Sequence, residues 1–391
     1  MADAVLVLGS ATPSVESYYL ASTGEYRLVE MPERILGRAL PKSTVVDLRT
    51  NGDKAKVDIF SEALMDSLAD RLRRGEQSIL FLNRRGFASF ILCRECGYTA
   101  QCPHCSVALT LHVSDRSLRC HHCNYRRPAP TVCPNCNGTR IYPFGLGTER
   151  LEAEVHTRFP EARVLRMDRD TTSTKNAHSR LYRAFRQGEA DILIGTQMVA
   201  KGLDFPGVTL VGVIAADMGL NVPDFRAAER TFQLLTQVAG RAGRGEQPGE
   251  VLLQTFNPDH YAITTARDQD YAGFYAQEID FRRELGYPPF GVLVNLISTD
   301  TDATVAETRA RRAVAAVAHV VKREKREKWN VEVLGPSPAP LARLKSRFRW
   351  HAIVRGAEEA QVHTAVRAGV EALPIADRDA LTVDVDPYGM A

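Results

Sequence analysis

The 391-residue chain has no apolar run long enough to cross a membrane as a helix. Its longest candidate, Val208 to Leu220, is interrupted by Asp217. The opening stretch MADAVLVLGSATPS carries an acid and too short an apolar segment for a secretion signal. Charge is nearly balanced at +3, so composition alone makes no case for nucleic acid. Internal repeats and low-complexity tracts are also missing. Cysteine is absent outside one window: all eight lie between Cys93 and Cys136. The expectation is a cytoplasmic protein whose thiols stay reduced, which sets disulfides aside. The length allows two or three domains, each with its own core.

The eight cysteines form four Cys-x-x-Cys pairs, Cys93/Cys96, Cys102/Cys105, Cys120/Cys123 and Cys133/Cys136, separated by five, fourteen and nine residues. Two sulfurs at this spacing converge on one ion, and four complete a tetrahedral site. Eight ligands therefore mean two Zn2+ ions. The fourteen-residue loop suits a zinc ribbon, so the favoured grouping is nested: Cys102, Cys105, Cys120 and Cys123 on one ion, Cys93, Cys96, Cys133 and Cys136 on the other. Sequential grouping stays open. His104, His121 and His122 lie beside ligands but are not needed with eight thiolates present. Iron–sulfur ligation usually places three close cysteines with a remote fourth, which does not fit here. No position is left for a reacting water, so the zinc is read as structural.

From Ile59 to Phe256 helical periods alternate with short apolar runs. Ile59–Gly75 reads as a helix and Ser78–Asn83 as a strand; after the cysteines come a helix near Glu149–Phe159, a strand at Val164–Asp168 and a helix to Gln187. Strands at Asp191–Thr196 and Val208–Asp217, a helix at Glu229–Gly243 and a strand at Gly249–Phe256 complete a parallel sheet covered on both faces. This lobe is assigned residues 51–90 and 140–265, with 91–139 as the zinc insertion. Residues 1–50 offer a strand (Ala4–Leu8), a helix that Pro13 can begin, and a crossing linker; they read as the tail of another lobe. Residues 271–391 read β-α-β-β-α-β: Val292–Thr299, Ala303–Lys328, Val331–Leu334, Phe348–Val354, Glu358–Leu373 and Leu381–Val385. That order is the split-βαβ, ferredoxin-like arrangement.

Chemistry concentrates in ILIGTQMVAKGLDFPGVTLV (Ile192–Val211) and TQVAGRAGR (Thr236–Arg244). Gln237, Gly240, Arg241 and Arg244 recur at three- and four-residue steps and are expected on one helix face, with Gly240 and Gly243 permitting close approach to a partner surface. Two guanidinium forks there suit charge developing on a transferring phosphoryl group. The plainer alternative is two arginines on a solvated helix, against which two helix-weakening glycines argue. Gly195, Thr196 and Gln197 follow a buried strand at its carboxyl end, where open α/β sheets bind ligands. Lys201, Gly202 and Asp204 follow in the loop. In the last domain, Arg347 and Arg349 alternate with Phe348 and Trp350 beside Arg343, Leu344 and Lys345. Such a strand suits phosphate and base contacts or an acidic peptide tail; a solvated basic face is the bland alternative. The basic run at Lys322–Lys328 is read as a solubilising helix end.

These two stretches resemble motifs V and VI of superfamily 2 helicases, and GSAT (Gly9–Thr12) resembles motif III. With the zinc insertion and LFLNRRGFA (Leu80–Ala88) ahead of them, the order is similar to the PriA family of replication-restart helicases. GLGTERLE (Gly145–Glu152), RMDRDTT (Arg166–Thr172), PDFRAAER (Pro223–Arg230) and SRFRW (Ser346–Trp350) extend the likeness from about Ala4 to the last residues. The resemblance implies a RecA-like helicase lobe with an inserted two-zinc region and a C-terminal α+β domain. It implies an ATP-dependent helicase that unwinds DNA 3′ to 5′, using ATP and Mg2+ in the complete enzyme. Branched and single-stranded DNA, single-stranded-DNA-binding protein and other primosome proteins are the implied partners of a monomer without membrane association. Arg244 resembles the arginine finger, Arg241 a γ-phosphate contact and Gln237 their companion. Gly202 and Asp204 lie near the nucleotide by this analogy. Ser10, Thr12, Thr196, Gln197 and Lys201 touch DNA or couple hydrolysis to it, and Arg347, Arg349 and Trp350 contact DNA or single-stranded-DNA-binding protein. The chain has no G-x-x-x-x-G-K-[ST] and no Asp-Glu-x-His, both of which hydrolysis needs. Alone it is expected not to hydrolyse ATP. Two other readings are a non-catalytic zinc-dependent binding module and a motor completed by a first lobe in trans.

Overall fold

The computed structural model describes residues 4–31, 40–49, 59–83, 89–113, 115–168, 170–200, 203–245, 247–324 and 329–390. A six-stranded parallel sheet runs in the order Lys42–Asp47, Glu250–Thr255, Val208–Val213, Gln77–Phe81, Ile192–Gly195, Val164–Met167. Alternation along these strands splits the core into two layers. Ile79, Phe81, Leu193, Val211, Val213, Val251 and Leu253 pack on one face; Leu80, Leu82, Ile192, Ile194, Leu210 and Leu252 pack on the other. Burial on both faces explains why the strands read as continuous apolar runs. The helix Glu62–Arg74 shows the local determinants clearly. The Ser61 hydroxyl accepts from Leu64 N at 3.2 Å, basic residues fill the last turn, and Gly75 ends it at φ 69°.

Five expectations are corrected. Residues 42–47, read as linker, form an edge strand parallel to Glu250–Thr255, because the β-branched run Thr44–Val46 completes the sheet. Ala4–Leu8 is not a strand: no described sheet accepts it, and Val5, Leu6 and Val7 are over four-fifths exposed. Val208–Asp217 ends as a strand at Val213. Asp217 instead opens a short helix, Asp217–Leu220, and its buried carboxylate accepts from Thr255 Oγ1 and Phe256 N, both at 2.9 Å. The helix carrying Gln237 is Ala227–Ala239, so Arg241 and Arg244 sit in the turn beyond it. The helix Tyr271–Leu285, assigned to the last domain, packs on the parallel-sheet lobe, with Phe274 stacked on Phe232 at 4.3 Å.

The zinc insertion leaves through the two-stranded ribbon Phe90–Cys93 and Ile141–Phe144 and holds a small antiparallel sheet of Thr110–His112, Ser117–Arg119 and Arg126–Pro128. The C-terminal sheet is antiparallel throughout, in the order Val331–Leu344, Arg347–Gly356, Val292–Asp300, Leu381–Val385. Numbered along the chain this is 2-3-1-4, the ferredoxin-like order, with helices Ala303–Glu324 and Glu359–Glu371 packed together on it. The strand Val331–Leu344 outruns its expected end at Leu334. Two irregularities in register let it continue to a tight turn at Lys345 and Ser346, both with positive φ.

A buried ion network joins segments that are distant in sequence. Arg282 has no exposed side-chain surface and donates to Glu278 at 2.8 Å and to Glu229 and Glu16 at 2.7 Å. Glu229 also accepts from Val15 N at 3.0 Å, and Glu278 from Tyr261 Oη at 2.6 Å. Burial opposes the Arg282 charge, but Glu229, Glu278 and Glu16 outweigh it and hold its pKa above the ordinary guanidinium value. Replacing Arg282 by Met should strand the buried Glu278, leave Glu16 and Glu229 to Arg226 alone, and cost about 3–5 kcal/mol in urea unfolding. A loss below about 1 kcal/mol would contradict the network's structural role.

Candidate metal centres and the paired arginines

All four Cys-x-x-Cys segments adopt one turn. In each, the N–H four residues after the first cysteine donates back to that cysteine's carbonyl, from Gly97, Ser106, Asn124 and Asn137. The first cysteine's own N–H donates to the carbonyl of Tyr98, Val107, Tyr125 or Gly138. Gly97, Ser106, Asn124 and Asn137 all have positive φ, and asparagine tolerates that region through its short polar side chain. The turn points both sulfurs inward.

The sulfurs gather in the nested manner. Cys93, Cys96, Cys133 and Cys136 form one group, and Cys102, Cys105, Cys120 and Cys123 the other, each within 4.8 Å. Cross-pair separations are 3.7 Å for Cys93–Cys136 and 3.6 Å for Cys96–Cys133 and Cys102–Cys123. A tetrahedron of zinc–sulfur bonds of about 2.3 Å requires about 3.8 Å between sulfurs, so both donor sets fit zinc. Burial pushes the Cys93 thiol up to about 12, so a thiolate there depends on a cation's charge. The neighbouring histidines stay outside: His104 lies edge-on to Tyr125, and His122 N donates to Cys120 Sγ.

His121 turns to the C-terminal sheet. Its Nδ1–H donates to Pro338 O at 2.6 Å, while its own carbonyl accepts from His351 Nε2 at 2.6 Å and from the Ser337 hydroxyl. Tyr287 Oη donates to Cys105 O at 3.1 Å. These bonds clasp the inner cysteine group to the C-terminal domain. Nothing in the spacing of the cysteines signalled this.

The arginines lie beside the strand Ile192–Gly195. A Cβ at Gly195 would come within 2.0 Å of Val199 Cγ2, so only glycine lets the next turn, Gln197–Ala200, fold so closely back. Arg241 spends its fork on that turn: Nη2 and Nε donate to Ala200 O at 2.7 and 3.2 Å, and Nη1 to Leu203 O. Arg244 donates to Gly240 O at 2.8 Å and pairs with Asp204 at 3.1 Å. Gly243, at φ 69°, meets Gly249 rather than a partner; a Cβ there would lie 2.6 Å from Gly249 N. Gln237 is half-buried and bonds to no described side chain, Thr196 is half-exposed, and the amide nitrogen of Gln197 is buried without a partner. Lys201 and Gly202 lie outside the described residues.

The GSAT segment approaches the same helix. Ser10 Oγ accepts from Thr12 N at 3.1 Å, and Thr12 O accepts from Gln233 Nε2 at 3.2 Å. Gln233 and Glu229 were missed by the sequence reading, although their i, i+4 spacing puts both on one face. In the C-terminal hairpin, Arg347 donates to Thr299 O at 3.3 Å and Arg349 to Leu341 O at 3.4 Å. Trp350 is half-exposed, and Arg343 stacks over Phe348 at 5.2 Å.

Residues 283–388 match the family model for the primosomal protein N C-terminal domain, 102–128 that for the PriA DNA helicase Cys-rich region, and 132–246 the helicase conserved C-terminal domain. The replication restart protein PriA of Bacillus subtilis is 44% identical across 98% of this chain and 48% of its own length. That of Synechocystis sp. is 43% identical across 90% and 42%, and that of Chlamydia trachomatis 40% across 99% and 51%. The chain belongs to the PriA family. It spans about half the length of the curated PriA relatives it matches.

The nested grouping in this PriA-family chain sets a metal-content test. Cys96→Ser or Cys105→Ser alone should lower bound zinc from two ions per chain to one. The pair Cys96→Ser/Cys133→Ser should also leave one ion, whereas Cys96→Ser/Cys105→Ser should leave none; elemental analysis reads the difference. The clasp predicts a pH effect. Burial pushes His351 down to about 3 from 6.5, partly opposed by its bond to the His121 carbonyl. The unfolded chain therefore binds the proton first, so this contribution is complete above about pH 6.5 and declines as pH falls toward 3. Between pH 7 and 5 it should cost about 1–2 kcal/mol in denaturant unfolding, and His351→Gln should flatten that slope.

Proposed function

We propose that this chain supplies the second motor lobe, two structural zinc centres and C-terminal domain of an ATP-dependent DNA helicase acting in replication restart. The single observation that carries the proposal is the pair Arg241 and Arg244. They follow the helix Ala227–Ala239 and touch the loop after the strand Ile192–Gly195, within a lobe matching the helicase C-terminal model. A guanidinium held this way is suited to charge on a transferring phosphoryl group. ATP and Mg2+ would require the phosphate loop and acidic pair that this sequence lacks, so the nucleotide cleft is proposed to be completed by a first lobe.

In the working cleft Arg244 would exchange Asp204 for phosphate oxygens, acting as the arginine finger. Arg241, bonded to Ala200 and Leu203 carbonyls, would position the loop carrying Thr196, Gln197, Lys201, Gly202 and Asp204. Branched and single-stranded DNA are the proposed substrates, with single-stranded-DNA-binding protein and primosome proteins as partners. The zinc centres have all-sulfur ligand sets and hold the insertion in shape.

The test is ATP hydrolysis stimulated by single-stranded DNA. The zinc-loaded chain alone should match buffer. Adding a separately produced first lobe should restore turnover, and Arg244→Ala should then lower it by about 10³-fold or more. Turnover by the chain alone, or restored turnover indifferent to Arg244, would refute the reading.

A further inference from the structure

A pocket opens at the carboxyl end of the parallel sheet, where the ribbon of the zinc insertion joins the lobe. Leu48 and Phe256, each continuing a sheet strand, form its floor together with Phe144 of the ribbon. About 80 Å³ is open to water centres, room for several waters. Its rim carries two arginines from different elements: Arg94, just after the strand Phe90–Cys93, and Arg150, in the first turn of Thr148–Arg158.

Among the described residues, neither Arg94 nor Arg150 has an acidic partner. Arg94 lies over the ring of Tyr142 at 5.7 Å, and that ring is 49% exposed. Tyr142 and Phe144 are two residues apart on one strand and share its face. An aromatic strip flanked by unpaired guanidinium groups, leading into an apolar pocket, matches a base with its phosphate: ring stacking on one side, fork contacts to the anion on the other.

We propose that this pocket holds one nucleotide of single-stranded DNA, its base against Tyr142 and Phe144 and its phosphate on Arg94 and Arg150. The inference rests on the DNA-binding reading above and adds a contact point outside the motif loops. It places a strand at the hinge between the zinc insertion and the motor lobe. A base seated there would bear on both bodies at once.

The test uses the whole zinc-loaded chain and a fluorescent twelve-residue oligo(dT), followed by anisotropy across a salt series. Arg94→Gln/Arg150→Ala should weaken binding about tenfold or more at low salt and reduce the salt slope by about 0.7, the value for one single-strand phosphate, with zinc content unchanged. An oligonucleotide carrying 5-iododeoxyuridine should cross-link on irradiation to the peptide holding Tyr142 and Phe144. Tight binding that the double variant retains, or cross-links confined elsewhere, would overturn the pocket assignment and leave the DNA-binding reading standing. No binding by the wild-type chain would sink both. A hexaglutamate peptide bound by wild type and lost by the double variant, with oligo(dT) binding unaffected, would reassign the pocket to an acidic peptide.

Discussion

The interaction on which the assembly turns is the sealed guanidinium of Arg282. A cation cut off from water is stable only if several carboxylates converge on it, and the three that do come from separate parts of the chain. Glu16 brings the helix Val15–Ser22, Glu229 the helix that ends before Arg241, and Glu278 the helix Tyr271–Leu285. None can shift without exposing or stranding charge. The position of residues 12–16 is thereby tied to that of the arginine-bearing turn. Around this pin the aromatic stacking of Phe232 on Phe274 adds apolar contact.

A second tie joins the zinc insertion to the ferredoxin-like domain. It consists of backbone carbonyls of the inner cysteine group, at Cys105 and His121, received by Tyr287, Ser337 and His351. Because the donors address the metal-binding turns themselves, the shape of the insertion is transmitted to the C-terminal sheet through short, buried bonds. Stacking of Tyr287 on Phe225, at 4.8 Å, carries the contact on to the parallel-sheet lobe. The three bodies are thus bonded pairwise rather than strung on linkers.

Much of this was legible in the chain because it rests on short-range rules. The strands at Val164, Ile192 and Val208 announced themselves as apolar runs, and the β-α-β-β-α-β order of the last domain followed from periodicity alone. The cysteine spacing favoured nested grouping, since a fourteen-residue loop closes a ribbon readily. What stayed hidden depends on contacts between remote residues. Arg282 and Glu16 are 266 positions apart, and His351 and His121 are 230; no spacing rule reaches that far. The edge strand at Lys42 was obscured by its flanking proline and polar surroundings. The end of the motif helix at Ala239 was overlooked because three- and four-residue steps fit a turn as readily as a helix.

Nesting also constrains how the two sites close. The inner group is complete once Cys123 has left the ribosome, while the outer must wait for Cys136. An inner ion bound first ties off the segment between Cys102 and Cys123, so the outer group then closes a chain already shortened. Closure entropy grows only slowly with loop length, but the early cross-link removes the alternative partners that four free pairs would otherwise sample. Because Cys93, Cys96, Cys102 and Cys105 are all made before Cys120, order of synthesis alone would not select this grouping; the strand pairings that set the two groups apart must do so.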